Sequence, residues 1–88
     1  RQVTEFGEHV RGWRMVLGLT AQQVSERAGI TRDTLRKIES GNPNVSFNSV
    51  TQVLRALGIL DQIVDAADPL ASDIGRLRAG RLTRKRAR

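Results

Sequence analysis

The chain has 88 residues, a formal net charge of +6, 39% hydrophobic residues and no cysteine. A domain of this size buries only about 60% of the surface its unfolded chain exposes, so a single small core is expected. Without Cys there is no disulfide framework and no thiolate metal site, no apolar run nears the ~18 residues a membrane-spanning helix needs, and nothing at the start reads as a secretory signal, so a cytoplasmic location is expected.

The charge is unevenly placed. Residues 1–67 hold eight Lys/Arg and seven Asp/Glu, whereas residues 68–88 hold seven Lys/Arg and two Asp. A basic tail of this kind attracts polyanions through counterion release without reading sequence, which points to nucleic acid or an acidic protein partner.

In chain order, Phe6, Val10, Trp13 and Leu17 recur at helical spacing and predict a first helix from about Thr4 to Leu17, stopped by Gly18. Thr20-Ala21-Gln22-Gln23 is a capping-box pattern opening a second helix to Ala28, with Val24 and Ala28 facing inward. After Gly29 and Ile30, Thr31 reads as the cap of a third helix that buries Leu35 and Ile38 and ends at Ser40-Gly41-Asn42-Pro43. A fourth runs from Ser46 through Phe47, Val50, Val53, Leu54 and Leu57 to Gly58, and a short fifth uses Ile59, Leu60, Ile63 and Val64 before Asp68-Pro69. This predicts an all-α, compact bundle of five short helices over residues 1–67. Residues 68–88 form a separate basic tail, expected to lack regular structure alone because Leu70, Ile74, Leu77 and Leu82 are its only sizeable apolar side chains.

Within the bundle, the second helix, the turn Ala28-Gly29-Ile30 and the third helix have the form of a helix-turn-helix. The second helix of such a unit lies in the major groove with its N-terminal residues toward base edges. Because Leu35 and Ile38 face inward, the outward residues are Arg32, Asp33, Arg36 and Lys37. Arg32 can donate twice to guanine, Asp33 can accept from cytosine or orient Arg32, and Lys37 can reach a base or a phosphate.

The sequence resembles the Cro/phage repressor (XRE) type of helix-turn-helix domain over about residues 4–66. The matching residues are Arg14 through Gly18-Leu19-Thr20, Val24 through Ile30, Leu35 through Gly41, and Ser46 through Gly58. The resemblance implies a lambda-repressor-like fold, base reading by the start of the third helix, and phosphate contacts from Thr34 and from Asn42, Asn44 and Ser46 in the following loop. It departs from the family at Ala21, where a Gln often touches the DNA backbone. Gln22 or Gln23 then takes that place, and Thr20, Gln22 and Gln23 are the candidate phosphate contacts at the start of the second helix. A palindromic operator bound by a homodimer is implied, with autoregulatory repression as the outcome.

A second resemblance is carried by Leu57-Gly58, the acidic short helix, Asp68-Pro69 and the tail from Gly75-Arg76 to Arg88. These look like HipB-like antitoxins, which implies a HipA-type kinase toxin as partner. Unrelated repressors of the family also end in basic tails.

Several residues have plainer readings. The resemblance implies that Arg14 and Glu39 pair between the first and third helices, in keeping with how seldom lone charges are buried. Trp13, Phe6 and Phe47 read as core, and His9 as a solvated surface residue. Ile59, Leu60, Ile63 and Val64 either close the core or form a two-fold dimer contact, and both roles are expected in part. With one His, no Cys, no Tyr and no phosphate-binding glycine loop, neither a nucleophile and base nor a cofactor or metal site can be assembled, so no enzymatic activity is expected.

Overall fold

The computed structural model describes residues 1–86, and their regular elements are helical: α1 (Gln2–Val16), α2 (Ala21–Ala28), α3 (Arg32–Glu39), α4 (Phe47–Ala56), α5 (Leu60–Ala67), a 3-10 turn (Pro69–Ala71), α6 (Asp73–Leu77) and α7 (Ala79–Arg86). The end of the basic tail, Ala87 and Arg88, lies outside the described residues. Among the described residues no helix is long and apolar enough to cross a membrane.

The helix boundaries follow from local chemistry. Thr20 and Gln23 form a reciprocal capping box at the start of α2, and Thr31 and Ser46 each accept from a backbone N–H three residues on. Each such cap satisfies an N–H with no partner inside the helix, worth about 1 kcal/mol. Gly29 ends α2 in the left-handed conformation at φ 69°, which a side chain would oppose, and this turns the chain sharply into α3.

The core is built from Val10, Val24, Ala28, Leu35, Ile38, Val53, Leu54, Leu57 and Ile59, none more than 7% exposed. Phe6, Leu19, Ile30, Val45, Val50 and Leu60 pack half-buried around it. α1 packs on α3, while α2 packs on both α3 and α4. The α1–α3 crossing is close at Gly7: a Cβ there would lie 2.5 Å from the Ile38 carbonyl oxygen and 2.7 Å from that of Glu39.

That crossing corrects the expectation for α1. Trp13 is 39% exposed and Leu17 46%. The inner line of α1 runs through Gly7, Val10 and Arg14, and Trp13 lies roughly 90° about the axis from the middle of that line. Leu17 stands past the last residue of the helix, as its C-cap. Phe47 is also not core: at 83% exposed it opens the first turn of α4, one turn before Val50, where no neighbouring element covers it. Phe6 remains packed against the core.

The tail differs from its expectation in having local helical structure through residue 86. Asp68 Oδ1 accepts from Leu70 N at 2.9 Å, Ser72 Oγ accepts from Gly75 N at 3.1 Å, and Arg76 donates to the Leu70 carbonyl at 2.9 Å. These are short-range bonds that need no core, and no residue of α5, the 3-10 turn or α6 is buried. The chain is therefore elongated, with a longest extent of 46 Å and a radius of gyration of 16.0 Å, against about 12 Å for a compact chain of this length.

Candidate nucleic-acid interface

Leu35 and Ile38 anchor α3 in the core at 1% and 4% exposure, and that anchoring turns Arg32, Asp33, Arg36 and Lys37 to the surface together. Val24 of α2 and Leu35 of α3 fill the angle of the helix-turn-helix. Ser25, which the sequence reading did not single out, is buried at 3% with its hydroxyl donating to the Ala21 carbonyl at 2.7 Å. A hydroxyl that closes on its own helix costs no unpaired polar group, so a small residue fits here.

The outward charges of α3 are organised along the helix. Asp33 pairs with Arg36 one turn on and with Lys37 Nζ at 3.3 Å. The hydrogen bond from Arg36, and after it that from Lys37, holds the Asp33 carboxyl below the usual carboxylate range. Asp33, Arg36 and Lys37 side chains are 57%, 69% and 46% exposed, so these pairs are solvent-screened and readily exchanged for contacts to a ligand. Among the described residues Arg32 has no carboxylate partner.

A groove of about 650 Å³ runs between α1, the start of α2 and α3, lined by Arg11, Arg14, Ala21, Arg32, Asp33, Leu35, Arg36, Glu39 and Ser40. Arg14 and Glu39 form the expected ion pair in it. Nε donates to Oε2 at 2.7 Å and Nη2 to Oε1 at 3.0 Å, while Nη1 reaches the Leu19 carbonyl at 3.2 Å. Hydrogen bonding to Glu39 raises the Arg14 pKa above its ordinary value against a smaller opposing effect of burial, so the pair stays charged. It ties α1 to the end of α3 and leads into the α2 turn.

The groove brings Arg32, Asp33 and Arg36 together with α1; Lys37 does not line it. The candidate phosphate contacts stand elsewhere. At the start of α2, Thr20 Oγ1 accepts from Gln23 N at 3.1 Å, Gln23 Oε1 accepts from Thr20 N at 2.9 Å, and the Gln22 amide donates to Glu26 at 2.8 Å. Thr34 is half-buried, with its hydroxyl 2.9 Å from that of Thr31. In the loop, Asn42 Oδ1 accepts from Asn44 N at 2.8 Å and Ser46 Oγ accepts from Ser49 N at 3.1 Å. Much of the polar capacity of Asn42, Ser46 and Gln23 thus shapes the backbone, leaving Gln23 NH2 and the Asn44 side chain as outward donors.

The four residues considered for a dimer contact divide. Ile59 is buried at 6% and Leu60 is half-buried, so both close the core, whereas Ile63 at 40% and Val64 at 60% exposure are open. The groove-lining Arg11 was missed by the sequence reading. Its signal was spacing: it lies one turn before Arg14, whose expected partner is on α3.

Residues 5–67 match a family of helix-turn-helix domains. A protein of Methanothermobacter thermautotrophicus described as an uncharacterized HTH-type transcriptional regulator is 39% identical over 49 residues, covering 56% of this chain and 71% of that protein. No solved structure matches the chain. The match over residues 5–67, together with the capped α2–turn–α3 unit at its centre, places the chain in the XRE-type helix-turn-helix family of DNA-binding transcription regulators.

Proposed function

We propose that this chain is a sequence-specific repressor that binds a palindromic operator as a homodimer and regulates its own expression in the cytoplasm. The observation that carries the reading is the division of α3, with Leu35 and Ile38 buried and Arg32, Asp33, Arg36 and Lys37 exposed on one polar face of the second helix of a helix-turn-helix. In this reading residues 1–67 read the duplex and residues 68–88 are an accessory tail that adds non-specific attraction. Arg32 contacts a base directly. Asp33 either reads cytosine or steers its neighbours, and Arg36 and Lys37 complete the contact. Thr20, Gln22, Gln23, Thr34, Asn42, Asn44 and Ser46 hold the flanking backbone. Ile63 and Val64, the open half of the α5 apolar group, are the dimer contact, with Leu60 at its edge. Repression follows from occlusion of polymerase. The HTH-type transcriptional regulator of Methanothermobacter thermautotrophicus supports a regulatory role.

Replacing Arg32 with Ala is expected to cost about 1–3 kcal/mol on the selected duplex and to relax base preference at one position per half-site. Equal affinity and equal selectivity for Arg32→Ala, measured by fluorescence anisotropy, would refute the base-reading role.

A second reading is favoured by the tail. Leu70, Ile74 and Leu77 are 48%, 59% and 84% exposed beside its basic residues. This suits an interaction module whose main task is to neutralise a HipA-type kinase toxin, with DNA binding secondary. That reading predicts weak, salt-sensitive and unselective duplex binding by the isolated chain.

A further inference from the structure

We infer that Arg11 of α1 is a phosphate-contacting residue of the DNA interface, gripping the strand that passes along the groove between α1 and α3. The inference rests on the reading of α3 as the recognition helix and adds a contact from outside the helix-turn-helix.

Four arginines and two carboxylates line the groove. Both carboxylates are engaged: Glu39 by Arg14 in two hydrogen bonds, and Asp33 by Arg36 and Lys37. Arg11 and Arg32 are the groove arginines with no carboxylate partner among the described residues. Arg32 belongs to the base-facing edge. Arg11 stands on the opposite wall, and Ala21, the first residue of α2, which lines the same groove, offers no donor side chain. The guanidinium that this part of the groove presents to an incoming anion is therefore that of Arg11. When bases lie against one wall of a groove, the group that reaches the other wall is the phosphodiester, and a planar guanidinium matches two of its oxygens. A small phosphate-bearing molecule shares this chemistry. The strand is favoured because the groove is open and one of its walls is the face assigned to the duplex.

The test uses the full chain and a selected duplex carrying a single uncharged methylphosphonate at each backbone position in turn. The wild type should lose affinity several-fold at one phosphate per half-site. Arg11→Gln should be insensitive there, with its salt slope lower in magnitude by about 1 per subunit and its base preference unchanged. Arg11→Lys should keep the slope. Thermal melts of both variants should match the wild type, since Arg11 is exposed. If Arg11→Gln keeps every methylphosphonate sensitivity and the full slope, the assignment is overturned. It is equally overturned if inorganic pyrophosphate, at constant ionic strength, raises the Tm of the wild type but not of Arg11→Gln while duplex binding is the same for both. Failure of the wild type to prefer any duplex would instead refute the recognition-helix reading, and it shows before any variant is made.

Discussion

Arg14 shows how a charged residue comes to lie on the inner line of a helix. Three hydrogen bonds, to Glu39 and to the Leu19 carbonyl, compensate its partial burial, and the space a hydrophobic residue would have filled is taken by the aliphatic stem. The pair was expected because the resembled fold commonly joins its first and third helices through these two charges, and lone charges are seldom buried. The exposure of Trp13 and Phe47 was not, since periodicity gives the direction of a side chain and not whether anything covers it. This distinction is measurable by chemical denaturation. Leu35→Ala, at a site 1% exposed, should cost about 3 kcal/mol. Phe47→Ala should change stability by less than about 0.5 kcal/mol despite the larger side chain removed. At Asp33 the sign of the pH dependence follows from its lowered pKa. The contribution of its pairs to stability is complete above the ordinary value of 3.8 and is lost as pH falls through the lower folded value. Melting curves of wild type and Asp33→Asn should therefore differ by a constant amount near neutrality and converge in strong acid.

The helices themselves were readable where their ends are set locally. Thr20 with Gln23, Thr31 and Ser46 cap α2, α3 and α4 at the positions the pattern indicates, because a cap depends on residues three apart and not on the rest of the fold. The tail helices escaped the same reading. Asp68 and Ser72 are equally good caps, yet the segment lacks the apolar periodicity by which a packed helix is recognised. The close approach of α1 to α3 at Gly7 was also hidden, since nothing local marks that glycine as a contact with residues more than 30 positions away. Gly7→Ala tests that crossing. In an exposed helix interior this change stabilises by about 1 kcal/mol. Here the new methyl meets two backbone carbonyls, so the expected effect is destabilisation by about 1–3 kcal/mol, read from the urea midpoint. The groove beside the crossing has the same origin: α1 and α3 meet through residues 25 apart in sequence, and Arg11 acquires its setting only from that meeting.

For the whole molecule, the excess charge lies away from the core: the core residues fall between Val10 and Ile59, whereas residues 68–88 carry seven Lys/Arg against two Asp. Truncation after Ala67 should leave base preference intact and lower the salt slope, because the removed segment contributes cations and, among the described residues, no core residue. Selection of duplex DNA from a random pool at near-physiological salt, run with the full chain and with residues 1–67, tests recognition and the role of the tail together. Enrichment of one palindrome by both forms, with half-sites about one helical turn apart, is the expected result. Enrichment of no motif, with only salt-sensitive retention of the full chain, would contradict sequence-specific recognition by α3 and leave the basic tail as the sole source of affinity.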